Sequence, residues 1–152
     1  MNTDDASRTT RVSHQDSTRE VVDALYSAFL SGDAQGMLAL LADDISLRFL
    51  GQVDAHGIDE ARDFFAFAAG LLTDVDFRIQ RKIIDGEWAA VIWSETARTA
   101  AGADWMNHGV DVLHVQAGRV TELHENNDVR LVARHFPVFD PMSAGAAGAA
   151  QS

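Results

Sequence analysis

Between residues 74 and 127 the chain takes on a period of two, in long alternating segments separated by short polar turns. That pattern admits little other than an antiparallel sheet. Val75, Phe77 and Ile79 alternate with Asp74, Asp76, Arg78 and Gln80, and Asp85-Gly86 predicts a two-residue hairpin turn. A second strand covers Glu87 to about Arg98, and a loop falls at Ala100 to Asp104. Two further strands, Trp105 to Val115 and Arg119 to Asn127, meet at the tight turn Gln116-Ala117-Gly118. Four long strands therefore form an antiparallel meander, and each offers one side-chain set to a core.

The segment ahead of the meander has a helical period. Ser17-Thr18-Arg19-Glu20 has the form of a capping box before an apolar stripe at Val21, Leu25, Ala28 and Phe29, predicting a helix over 18–31 that Gly32 ends. Asp33 can cap a short second helix carrying Met37, Leu38, Leu40 and Leu41, which Ala42-Asp43-Asp44 ends. Ile45, Leu47 and Phe49 then alternate as a short strand, Gly51 to Gly57 is a loop, and Asp59 to Ala68 fits a third helix with acids in its first turn. Asp128 to Phe136 can form a last helical turn before Pro137. The expectation is one α+β domain over 17–137, a curved antiparallel sheet closed by three N-terminal helices. Residues 1–16 are expected as a disordered polar tail and 138–152 as a low-complexity tail.

Composition removes several classes of function. A net charge of −11 with scattered basic residues argues against nucleic acid, because a binding face must neutralise phosphates with clustered Lys and Arg. No stretch approaches the roughly 20 apolar residues of a membrane span, and the N-terminus lacks a signal-peptide core. The absence of cysteine rules out disulfides and thiolate sites and fits a reducing, cytoplasmic setting. His108 and His114 share a strand face but lie roughly 20 Å apart at strand rise, and Asp111 is on the opposite face, so no His-based metal site is expected. Neither a phosphate loop, a Gly-x-Gly-x-x-Gly run nor a nucleophile elbow occurs, so no cofactor is expected.

The order helix, helix, strand, helix and four long strands resembles the cone-shaped fold of SnoaL-like polyketide cyclases, ketosteroid isomerases and limonene epoxide hydrolases, the nuclear transport factor 2-like superfamily. The matching segments are Tyr26 to Asp33 (YSAFLSGD), Leu41 to Ile45 (LADDI), His56-Gly57 before the third helix, and Gly118 to His124 (GRVTELH) with Asp128. Asp111 to Val115 (DVLHV) looks like the isomerase strand whose carboxylic acid donates to a developing oxyanion, which implies that Asp111 faces inward. Phe49 stands where the isomerase pattern has its general base. Gly118 to Asp128 is similar to the hydrolase strand that bears one catalytic aspartate, with Glu125 at that position. Glu95 falls at the counterpart of the other catalytic acid, and Trp93 replaces the arginine that bridges the two.

The resemblance thus implies a cofactor-independent enzyme with Glu95 and Glu125 as an acid/base pair and Asp111 as orienter. Two carboxyls in an apolar cavity cannot both ionise cheaply, so one becomes an acid near pH 7 and the other a base. Tyr26, Phe49, Phe65, Trp93 and Trp105 would line the pocket for a small hydrophobic oxygenated substrate, although Tyr26 also suits plain core packing on its helical stripe. The resemblance further implies a homodimer through the sheet's outer face. The competing reading is a non-catalytic ligand-binding or dimerisation module of the same fold.

Overall fold

The computed structural model describes residues 3–49 and 53–139. The elements run α1 (Thr3–Ser31), α2 (Ala34–Ala39), β1 (Leu41–Phe49), β2 (Val53–His56), α3 (Ile58–Ala68), β3 (Leu72–Asp85), β4 (Trp88–Thr99), β5 (Asp104–Gln116), β6 (Arg119–Asn127) and α4 (Val129–His135), followed by a 3-10 turn at Pro137–Phe139. The strands form one curved, unclosed sheet in the order β2-β1-β6-β5-β4-β3. The meander β3 to β6 is antiparallel as the alternation predicts, and β1 joins it parallel to β6.

Four local features differ from the sequence reading. Helix α1 begins at Thr3 and so runs through most of the segment expected as a tail; no Gly or Pro interrupts residues 3–31, and nothing in the backbone chemistry forces a start at the capping box. Ala42-Asp43-Asp44 lies within β1 rather than at a helix end. Leu41 and Ala42 are buried there, while exposed Asp43 and Asp44 fall where the pairing with β6 slips between Leu41 and Ser46. Val53–His56, expected as loop, is a short edge strand paired with β1; four residues are too few to show alternation, yet Ala55 is buried. Asp85 pairs with Trp88, so the hairpin turn is Gly86-Glu87, one residue on, with Gly86 at φ 61°. Gly51, Gln52 and the low-complexity segment beyond Phe139 lie outside the described residues.

The core sits between the concave face and the helices. Val22, Leu25 and Tyr26 of α1 pack on Leu41, Ile45, Leu47, Val91, Leu113, Val120 and Leu123. Burying each such side chain contributes about 1.5–3 kcal/mol. The buried Thr18 hydroxyl donates to the Gly86 carbonyl at 2.9 Å, and Lys82 reaches Asp23 at 2.6 Å, so α1 is tied to the β3–β4 hairpin. A smaller cluster of Ala97, Trp105 and Val132, joined by Leu72, Leu131, Phe136 and Phe139, seats α4 against the far end of the sheet. Asp128 caps α4 by accepting from the Arg130 and Leu131 N–H groups. Among the described residues no helix is long and apolar enough to cross a membrane.

Candidate functional site

Register fixes what meets on the concave face. Glu125 of β6 lies opposite Phe49 of β1 on one side and Asp111 of β5 on the other, and Asp111 lies opposite Val91 of β4. In the neighbouring row Asn127, Gly109 and Trp93 are cross-strand partners, with Ile79 beyond. The next row holds Asn107, Glu95 and Phe77. Asp111 and Glu125 are direct cross-strand neighbours, about 5 Å apart, and Glu95, two inward rows along, is near enough for its charge to act on both.

Asp111 is its best-held member. It is 6% exposed, its Oδ1 accepts from Trp93 Nε1 at 2.8 Å, and its Oδ2 accepts from the Tyr26 hydroxyl. Trp93 reaches that far because Gly109 has no side chain: a Cβ there would stand 2.6 Å from Trp93 Cζ2. Phe77 stacks on Trp93 at 5.1 Å and on Tyr26 at 6.3 Å, so an aromatic column runs beside the acids. Glu95 is half-buried and accepts from Trp105 Nε1 at 2.7 Å. Glu125 is also half-buried, and its Oε1 accepts from Asn127 Nδ2 at 2.6 Å.

Burial drives the electrostatics. It raises the Asp111 carboxyl to about 6, with the Tyr26 and Trp93 hydrogen bonds opposing and the Glu95 charge adding to the rise. Glu125 is pushed well above the ordinary carboxylate range by burial, then by the charges of Asp111 and Glu95. Glu95 is raised by burial, against the pull of the Trp105 bond. The charges acting on Asp111 and Glu125 are those of neighbouring carboxylates, which favour the protonated form of both. Burial and the neighbouring acids also raise Tyr26, which keeps its hydroxyl a donor.

All of the residues singled out from sequence lie on or beside the interior, in different capacities. Tyr26, Trp93 and Asp111 form one hydrogen-bonded unit. Phe49 stands opposite Glu125 and packs on Phe64 at 4.4 Å and Phe65 at 6.4 Å, forming an apolar wall under α3. Trp105 is turned toward α4, against Phe136 at 5.3 Å and His135 at 5.5 Å, so it holds Glu95 rather than lining open space. Sequence reasoning missed Phe77, Asn107, Gly109 and Asn127. Parity offered a signal for three of them, since 107 and 109 share the face of Asp111 and 127 that of Glu125.

A cavity of about 370 Å³ opens on the other face of the sheet, lined by Gln80, Ile92, Ser94, Met106, His108 and Val110 together with parts of Trp93, Asn107 and Gly109. His114 is on that outer face too, stacked on Trp88 at 4.3 Å and 3.4 Å from Glu87. Among the described residues no three His, Asp or Glu side chains are grouped to hold a metal ion.

A concave sheet shut by N-terminal helices is the fold of the nuclear transport factor 2-like α+β proteins. The family model of the SnoaL-like domain matches residues 22–123, and the chain belongs to that family. A nuclear transport factor 2-like protein of Burkholderia pseudomallei superposes with a TM-score of 0.72 at 22% identity, covering 78% of this chain and 95% of its own. A protein of Jannaschia sp. CCS1 assigned to the SnoaL-like polyketide cyclases gives 0.73 at 15% identity, covering 80% and 92%. TerC, co-crystallised with polyporic acid, gives 0.69 at 18% identity, covering 82% and 98%. At these identities the likenesses show the fold. No curated protein matches the chain.

Proposed function

We propose that the chain is a SnoaL-like enzyme that performs carboxylate acid/base chemistry on a small hydrophobic oxygenated molecule, of polyketide, terpenoid or steroid-like type. One observation carries this reading. Of the three inward acids, Asp111 has both oxygens engaged by protein donors, whereas Glu95 and Glu125 each accept a single bond from the described residues. Asp111 is then the orienter, and the free oxygens of Glu95 and Glu125 are the working groups. Glu125, which burial and the charges of Asp111 and Glu95 push well above the ordinary carboxylate range, would protonate a carbonyl or epoxide oxygen while Glu95 removes an α proton or activates water. TerC, which shares the fold, was co-crystallised with polyporic acid, which supports a small organic molecule as the kind of ligand.

The test is turnover by Glu125→Gln and Glu95→Gln on ketones and epoxides of these classes, followed by α-proton exchange or mass change. General acid/base groups contribute about 10²–10⁴-fold, so a loss of at least about 100-fold is expected. Full activity in Glu125→Gln would overturn the assignment.

A second reading, a binding or dimerisation module, is favoured by the column of Tyr26, Phe77 and Trp93 packed beside the acids. The outer face would then pair two copies across Trp88, Ile83 and Met106, which are 44%, 51% and 73% exposed. Met106→Asp should convert such a dimer to monomer in sedimentation equilibrium; a monomeric wild type would exclude it.

A further inference from the structure

The hollow on the outer face of the sheet follows from the register. Ser94 of β4 lies opposite His108 of β5 on one side and Arg78 of β3 on the other, so a short side chain stands between two long ones. In the next row Ile92 lies opposite Val110 and Arg81, which gives a half-buried apolar floor with a guanidinium at its β3 edge. The register slip between Ile79 and Arg81 turns Gln80 to the same side, and Met106, 73% exposed, stands at the β5 edge. The cavity of about 370 Å³ so enclosed is of the size that takes small molecules, about 300–1,000 Å³.

Its charge is opposite to that of the molecule. The chain carries a net charge of −11, yet among the described residues no carboxylate lines this cavity. Arg78 is matched by Asp76, whose oxygens accept from its Nε and Nη2. Arg81 and His108 are exposed and have no such partner among the described residues.

We propose that the outer cavity is a second ligand site, on the opposite face from the inner acids, and that it takes an aromatic carboxylate. The ring lies on Ile92 and Val110 beside the Met106 thioether, a favourable contact for an aromatic edge. The carboxylate meets the β3 edge, where Arg81 offers a planar fork for a planar anion and the Gln80 carboxamide a further donor. The inference stands apart from the acid/base reading, whose working groups face the other way.

The experiment titrates 2-naphthoate and its neutral isostere 2-naphthamide into ¹³C,¹⁵N-labelled full-length protein. The Met106 methyl and Gln80 carboxamide resonances report the outer face, and the Trp93 indole N–H reports the inner one. The carboxylate should shift the outer resonances and bind about threefold or more tighter than the amide, the scale of one exposed ion pair. Arg81→Gln should bring that ratio to about one and leave 2-naphthamide binding unchanged. Ser94→Leu fills the hollow and should weaken both ligands by about tenfold or more, because the ring loses its seat on the apolar floor. Equal affinities in the wild type, a preference that survives Arg81→Gln, unchanged binding in Ser94→Leu, or shifts confined to the Trp93 indole would each overturn the proposal.

Discussion

Replacing Asp111 by Asn should make the protein more stable at neutral pH while impairing the site. The Asp111 carboxyl titrates at about 6 in the folded chain, against an ordinary aspartate value of 3.8 that the unfolded chain approximates. Between those two values the folded state holds a proton that the unfolded state has released. Stability therefore falls as pH rises through this window, and a shift of this size withholds about 3 kcal/mol at pH 7. Below pH 3.8 both states are protonated and nothing is lost. The introduced carboxamide would carry no charge at any pH and could keep both partners, because Trp93 Nε1 donates to its oxygen and the Tyr26 hydroxyl can turn to accept from its amino group. Urea unfolding of wild type and Asp111→Asn at about pH 3.8 and about pH 7.5 measures the effect. A gain of roughly 1–3 kcal/mol confined to the higher pH is expected. A variant less stable at the higher pH, or a gain equal at both pH values, would refute the reasoning.

Three further outcomes follow from individual contacts. Gly109→Ala would place a Cβ 2.5 Å from the Asn126 carbonyl and 2.6 Å from the Trp93 ring, and should destabilise by about 1–3 kcal/mol with a changed near-ultraviolet tryptophan signal. Ala117→Gly should stabilise by about 0.5–1 kcal/mol in thermal unfolding, because Ala117 sits at φ 48°, where a Cβ is unfavourable. Trp105→Phe removes the donor that lowers Glu95, so the Glu95 carboxyl should titrate higher than in wild type by ¹³C NMR while its neighbours change less.

The meander was legible because alternation sustained over long segments leaves no other structure, and β3 to β6 appear in the order and pairing that the turns predict. Short or irregular pieces were not. The edge strand Val53–His56 is stabilised by β1 rather than by its own pattern, and Asp43-Asp44, which suits a cap, is carried outward by a slip in register. Parity and resemblance together put Glu95, Asp111 and Glu125 on one face, and in the sheet Asp111 and Glu125 are direct cross-strand partners while Glu95 stands two inward rows further along β4. Which acid would be tied and which left free was beyond sequence reasoning. It depends on an indole crossing a glycine on the next strand, and on Trp105 turning toward α4 to reach Glu95. These contacts join residues that only the folded sheet brings together.

Burial and mutual repulsion hold the inner carboxyls above the ordinary carboxylate range. Carboxyl ¹³C NMR of the full chain, titrated from about pH 3 to about pH 9 with Glu95, Asp111 and Glu125 assigned through their amide variants, measures this directly. A midpoint at about 6 is expected for Asp111, with Glu125 still protonated well above the ordinary carboxylate range. All three acids fully ionised by about pH 5 would contradict it.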